Sequence, residues 1–244
     1  MKCSYCAVGA GTVRYRVRST ARVIEEIEAA VTGYGARFID FEDENLSLDR
    51  AGFLNLLHEI TRRFHGMDIE LRAMNGLFTP SLDETVIRAM KTAGFRALNL
   101  SLGTTAPDQL RRFRRPDVRQ ATETAIQAAR KHGLDVVCYI IVGAPGQSAR
   151  DSLDDLLYLA ARDVLAGVSV YYPAPGSADF AMLERDGMLP EHFSLMRSTA
   201  LPISHRTTRQ DSVTLLRLGR ILGFIRSLAQ RGEGLPMPAA LESE

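Results

Sequence analysis

Val136-Val137-Cys138-Tyr139-Ile140-Ile141-Val142-Gly143-Ala144-Pro145-Gly146-Gln147 is an apolar run stopped by a glycine and proline turn. A strand with one wet face alternates apolar and polar side chains. A run that is apolar throughout fits a strand covered on both faces, as in the parallel sheets of α/β proteins. The flanks agree. Upstream, a helical stretch runs to about His132 and stops at Gly133. Downstream, Ser148 can cap a second helix with its apolar face at Leu153, Leu156, Leu157 and Ala160. Helix, strand, turn and helix make a βα repeat.

The repeat extends both ways. Strands are expected over 37–41, 69–73, 97–102, 136–142 and 168–172. Between them, Ser19 or Thr20 opens a helix carrying Val23, Ile27, Ala30, Val31 and Tyr34 and ended by Gly35. Ser47 or Asp49 opens one carrying Phe53, Leu56, Leu57, Ile60 and Phe64. Ser81 with Glu84 reads as a capping box for a helix through Leu82, Val86, Ile87 and Met90, closed by Gly94. Residues 7–18, 111–119 and 179–211 read as loops, the second rich in arginine. A last helix over 212–230, apolar at Leu218, Ile221, Leu222, Ile225 and Leu228, needs a surface to bury it, with docking on the sheet expected over dimer formation. Residues 231–244 read as a tail. Five parallel strands joined by right-handed crossovers make either a doubly wound sheet or part of a (β/α) barrel.

The 244 residues are 45% hydrophobic, enough for a full core. Thirty Lys and Arg against 29 Asp and Glu give a net charge of +1, which argues against nucleic-acid or membrane-surface binding through bulk charge. No apolar run approaches the ~18 residues of a membrane span. Three cysteines make no disulfide framework, so a reducing, cytoplasmic setting is expected.

Two of those cysteines, Cys3 and Cys6, stand two residues apart in Lys2-Cys3-Ser4-Tyr5-Cys6. Thiolates so spaced can face one soft metal centre, as half of a zinc site or part of an iron–sulfur cluster, or act as a thiol redox pair. Cys138 sits within a strand, where a small buried hydrophobe is its usual role. The five histidines share no ligand spacing. Arg111, Arg112, Arg114, Arg115 and Arg119 form either a solvated face or a grip for phosphate or carboxylate.

Lys2-Cys3-Ser4-Tyr5-Cys6 resembles the end of the C-x-x-x-C-x-aromatic-C signature of radical S-adenosylmethionine (radical SAM) enzymes. Tyr5 stands in the aromatic slot, and Cys3 and Cys6 match the second and third cysteines. The resemblance implies that both thiolates bind a [4Fe-4S] cluster, that a first cysteine would lie two residues before Met1, and that Met1 is internal to a longer frame. Further matches fall at strand exits in the family's order. Asp43-Glu44-Asn45 resembles the segment holding the cofactor's amino group, in a form common among cobalamin-associated members. Ser101 matches the ribose- and carboxylate-contacting segment, and Arg115 is a candidate for the cofactor carboxylate. Ile141, Gly143 and Pro145 resemble the turn under the adenine, and Tyr172 and Pro173 the segment leaving the last strand.

The implied fold is a partial TIM-type (β/α)6 barrel lacking its first strand, with a C-terminal helix. The implied division is a core over 1–177 with its cluster loop at 1–18, a loop-rich extension over 178–211, a helix over 212–230 and a tail over 231–244. The implied chemistry is reductive cleavage of S-adenosylmethionine to methionine and a 5′-deoxyadenosyl radical, which takes hydrogen from a small-molecule or macromolecular substrate. A flavodoxin or ferredoxin would supply the electron, and cobalamin is a further cofactor suggested by the branch. No residue is singled out as a catalytic acid or base. The contrasting expectation is a non-catalytic module holding zinc, or nothing, through Cys3 and Cys6.

Overall fold

A computed structural model describes residues 3–8, 16–43, 45–197, 203–204 and 206–234. Five strands appear: β1 (Phe38–Asp40), β2 (Glu70–Arg72), β3 (Ala97–Gly103), β4 (Asp135–Val142) and β5 (Leu165–Val170). β1 pairs with β2, and β3 with β4 and β4 with β5, all parallel. Parallel bridges Leu71 to Phe95 and Leu77 to Leu100 join the two sets, so neighbours in space follow sequence order. A doubly wound sheet would reverse direction at a switch point. This unreversed order is that of a barrel arc.

Helices α1 (Thr20–Glu28), α2 (Arg50–Arg63), α3 (Glu84–Ala93), α4 (Pro107–Arg112), α5 (Arg119–Lys131) and α6 (Ala149–Ala160) precede or alternate with the strands. The main core lies between them and the outer face of the arc. It holds Leu98, Leu100, Val136, Cys138 and Ile140 from strands and Leu57, Met90, Ile126 and Leu156 from helices. The β4 run is apolar throughout, yet its burial alternates: Val136, Cys138, Ile140 and Val142 are buried, while Val137, Tyr139 and Ile141 are half-buried. The second set lines the concave face, which an incomplete barrel leaves open. There the Tyr139 hydroxyl donates to Asn99 Oδ1 at 3.1 Å.

α7 (Ala178–Arg185) and α8 (Arg209–Gln230) follow β5. α8 packs on β5 and α6, as docking on the sheet requires, covering the last strand. Gly219 makes the approach possible, since a Cβ there would stand 2.6 Å from Val168 Cγ2. Leu218 and Leu222 join the main core, whereas Ile221 and Ile225 face outward. No helix among the described residues is long and apolar enough to cross a membrane.

Several expected boundaries change for identifiable reasons. α1 passes into a π-helical turn at Ala29–Gly33, which rotates the next residues off the buried face and leaves Tyr34 89% exposed. Asp83, not Ser81, caps α3: its carboxylate accepts from Val86 N at 2.9 Å, while Ser81 ends a short 3-10 turn and donates to Phe78 O. β5 begins and ends before the expected 168–172, after Asp163 turns the chain with φ 49°. Two helices run into stretches read as loop: α4 ends inside 111–119 and α7 fills the start of 179–211. In α4, Pro107 starts the helix and buried Leu110 and Phe113 lie among the solvent-facing arginines that obscure them. In α7, Ser177 caps the helix through Phe180 N, and Met182 and Leu183 turn inward. Of residues 7–18, positions 9–15 lie outside the described residues, as does most of the tail.

Candidate functional site

The strand exits carry the candidate residues, and a second, smaller apolar cluster joins several of them. Phe113, Ala144, Tyr171, Leu183 and Ile203 form its buried centre, with Tyr5, Ile141 and Met182 packed around them. It is assembled from the cysteine loop, the end of α4, the β4 turn, the β5 exit, α7 and the segment before α8.

The cysteine loop is a tight turn, closed by Cys6 N donating to Cys3 O at 3.2 Å. Cys3 is buried and Cys6 half-exposed. The turn is tied on both sides: Ser4 N donates to Phe113 O at 3.0 Å, and Asp179 N donates to Ser4 O at 2.9 Å. The Tyr5 ring meets Phe113 edge-on, centroids 4.8 Å apart. Its hydroxyl accepts from Arg115 Nη1 at 3.1 Å. Burial pushes the Tyr5 phenol up to about 12, against the opposing pull of the Arg115 charge, so it is a neutral hydroxyl at neutral pH.

Arg115 departs from the solvated-loop reading, being only 7% exposed. Nε donates to Leu102 O at 3.2 Å, and Nη2 to Ser101 O and, at 3.0 Å, to Ser101 Oγ. With Tyr5, these acceptors use all but one of the five guanidinium hydrogens. Every one of them is neutral, and no ion pair among the described residues includes Arg115. Gly103, at φ 83°, admits the side chain, because a Cβ there would stand 3.0 Å from Nε. Ser101 is thus engaged by Arg115. Arg111 and Arg119 are paired with Asp108 and Asp117.

The β1 exit holds Asp43, exposed, and Asn45, whose Oδ1 is buried without a hydrogen-bond partner among the described residues. Glu44 lies outside the described residues. Both described members line an open groove of about 600 Å³ beside β1, walled by Ile27, Phe41, Phe53 and Leu56. At the β4 exit, Gly143 and Gly146 adopt φ 73° and 75°, enclosing Ala144 and Pro145. Gln147 is fully buried and locks this turn: Nε2 donates to Ile141 O at 2.9 Å and Oε1 accepts from Ala144 N at 3.1 Å. Tyr172 and Pro173 follow β5, where Tyr171 N continues the pairing to Val142 O at 2.8 Å.

Sequence reasoning missed Tyr171 and Asp179. The Tyr171 hydroxyl donates to Asp179 Oδ2 at 3.1 Å, and both residues are buried. Burial raises both pKa values above their usual ranges. The usable signal was Ser177-Ala178-Asp179, a helix start inside the supposed loop. Cys138 lies on the outer face in the main core, where burial pushes its thiol up to about 12, an inert site. No group of three or more His, Cys, Asp or Glu able to hold a metal ion occurs among the described residues.

Residues 1–159 match the profile of the radical SAM superfamily. The chain belongs to this superfamily. Over 187 residues it is 29% identical to anaerobic magnesium-protoporphyrin IX monomethyl ester cyclase of Rubrivivax gelatinosus, covering 74% of this chain and 32% of that protein. The structure is similar to that of the radical S-adenosylmethionine methyltransferase TsrM from Kitasatospora setae, solved with cobalamin and a [4Fe-4S] cluster, with TM-score 0.66, 22% identity and coverage of 76% of this chain and 35% of that one. It is also similar to methylornithine synthase, PylB, with TM-score 0.60, 18% identity and coverage of 90% and 58%. These likenesses establish the fold as a radical SAM partial (β/α) barrel. The chain spans about a third of the length of the curated relatives it matches.

Proposed function

We propose that this chain is the S-adenosylmethionine-binding core of a radical SAM enzyme, with Cys3 and Cys6 as thiolate ligands of a [4Fe-4S] cluster. The observation that carries the reading is the buried Arg115, a cation with no carboxylate partner among the described residues, which ties Tyr5 of the cysteine turn to the β3 exit. When bound, the cluster supplies the electron that cleaves the sulfonium carbon–sulfur bond of S-adenosylmethionine.

The residues present fit the cofactor in parts. The two thiols share one turn, which suits a soft metal–sulfur group. Arg115 keeps one Nη1 hydrogen for an anionic group, the cofactor carboxylate, while Tyr5 and Ser101 hold its plane. The unpartnered Oδ1 of Asn45 and the carboxylate of Asp43, with Glu44 beside them in sequence, are acceptors for the cofactor amino group. The left-handed glycines of the Gly143 to Gly146 turn expose backbone at the β4 exit, where Ile141 and Pro145 offer an apolar bed for a flat base. Tyr172 and Pro173 extend that bed past β5. The open concave face beyond them takes the substrate, an electron-transfer protein provides the electron, and a cobalamin partner follows the methyltransferase likeness.

Anaerobic reconstitution with iron and sulfide tests the reading. Iron, sulfide and visible charge-transfer absorbance should appear in the wild type and be lost in Cys3→Ser/Cys6→Ser. Dithionite reduction with S-adenosylmethionine should then release 5′-deoxyadenosine and methionine. Equal iron and sulfide uptake by the double variant refutes the ligand assignment, and a loaded protein that leaves S-adenosylmethionine intact refutes the activity.

A further inference from the structure

The cysteine turn is held from a part of the chain that lies beyond the family-matched residues. A relay of contacts runs from the sheet to it. Tyr171 N donates to Val142 O at the end of β4, fixing the first residue after β5 against the barrel. The Tyr171 hydroxyl donates to Asp179 Oδ2 at 3.1 Å, placing the first turn of α7. Asp179 N then donates to Ser4 O at 2.9 Å, between Cys3 and Cys6. The buried Ser4 hydroxyl lies beside the same carboxyl without the geometry of a full hydrogen bond. An acidic residue early in a helix is ordinarily solvated and acts on the helix alone. Asp179 is instead 9% exposed, with its side chain on one neighbour and its amide on another.

We propose that Asp179, anchored by Tyr171, is a positioning residue that holds Ser4 and so fixes the turn that carries Cys3 and Cys6. The inference deepens the proposed cluster site and rests on that reading for its purpose, but the labelling that tests it needs no metal. Cys138, buried in the main core, provides an internal reference for global opening.

The test is labelling of the metal-free full chain by N-ethylmaleimide, with each cysteine followed by peptide mass spectrometry. In Asp179→Ala, which keeps the amide bond to Ser4 but frees α7 from Tyr171, the rate at buried Cys3 should rise about fivefold, the scale of one buried hydrogen bond, with a smaller rise at half-exposed Cys6 and Cys138 still protected. Asp179→Asn keeps an oxygen acceptor and should restore most of the protection, and Tyr171→Phe should reproduce part of the loss. Unchanged Cys3 and Cys6 rates, a parallel rise at Cys138, or Asp179→Asn behaving like Asp179→Ala would each overturn the proposal. Iron and sulfide uptake by the wild type is read separately, so its failure sinks the cluster assignment while the labelling result stands on its own.

Discussion

Replacing Arg115 by methionine keeps the length of the side chain and removes its charge and every donor. The wild-type guanidinium serves four acceptors: Leu102 O, Ser101 O, Ser101 Oγ and the Tyr5 hydroxyl. Each buried acceptor left without a donor costs about 1–3 kcal/mol. The two hydroxyls can turn to new partners, so the cost falls mainly on the two carbonyls. Against this stands the relief of a buried charge, itself several kcal/mol. The two carbonyls together cost about 2–6 kcal/mol, and with the charge relief set against them the net expectation is a loss of about 1–2 kcal/mol, or roughly 2–8 °C in Tm for a domain of this length. Arg115→Lys retains the charge but not the planar fork, and should recover less than half of the loss. Urea unfolding of the metal-free protein, with Tm from calorimetry, reads both variants. A loss below about 0.5 kcal/mol for Arg115→Met, or full recovery in Arg115→Lys, would show that the guanidinium does not organise the β3 exit and the cysteine turn.

Three further outcomes follow from the packing. Gly146→Ala places a Cβ onto Arg112 Nη1 at φ 75°; the arginine can move but the backbone cannot, so denaturant unfolding should show a loss of about 1–2 kcal/mol, only partly recovered in Arg112→Ala/Gly146→Ala. Gly219→Val drives a side chain into Val168, 2.6 Å from the new Cβ, and should cost about 2–3 kcal/mol while raising light scattering as the β5 edge is uncovered. Asp155 is fully buried, and burial raises its pKa despite the bonds it accepts from Thr105. The folded state therefore holds the proton more tightly than the unfolded one, and stability falls as pH rises from ~4 through the raised pKa. Asp155→Asn should lack that slope, so its stability relative to wild type should climb over this window; a difference flat with pH would refute the assignment.

The βα order was legible because burial imposes it on sequence: the 136–142 run, the Gly133 stop and the Ser148 cap all stand where the periodicity puts them. Choosing a barrel arc over a doubly wound sheet was not, since both produce the same local patterns and only strand order separates them. For the candidate site, residue types singled out Cys3, Cys6 and the strand exits as expectations. What escaped was tertiary. Arg115, named through the family resemblance as a candidate for the cofactor carboxylate, looks like its neighbours in a run of arginines, and its burial beside Ser101 is what the sequence did not show. Asp179 looks like a loop acid until Tyr171 closes on it. The Ser81 capping box failed because Asp83, two residues on, offers a charged acceptor that also pairs with Arg50 at 2.6 Å.

The two apolar clusters differ in how far apart in the chain their members lie. The main core is stitched from adjoining βα units, so most of its loops are short to close. The small cluster brings together residues from Tyr5 to Ile203 and cannot close until the whole arc has formed. The scaffold is therefore expected to form early and cooperatively, with the cysteine turn seated last. The reverse step should have the lowest threshold: if α7 and the cysteine turn part while the strands stay paired, hydrogen exchange should show the amides of Ser4 and Asp179 opening locally while those of Cys138 and Ile140 stay protected.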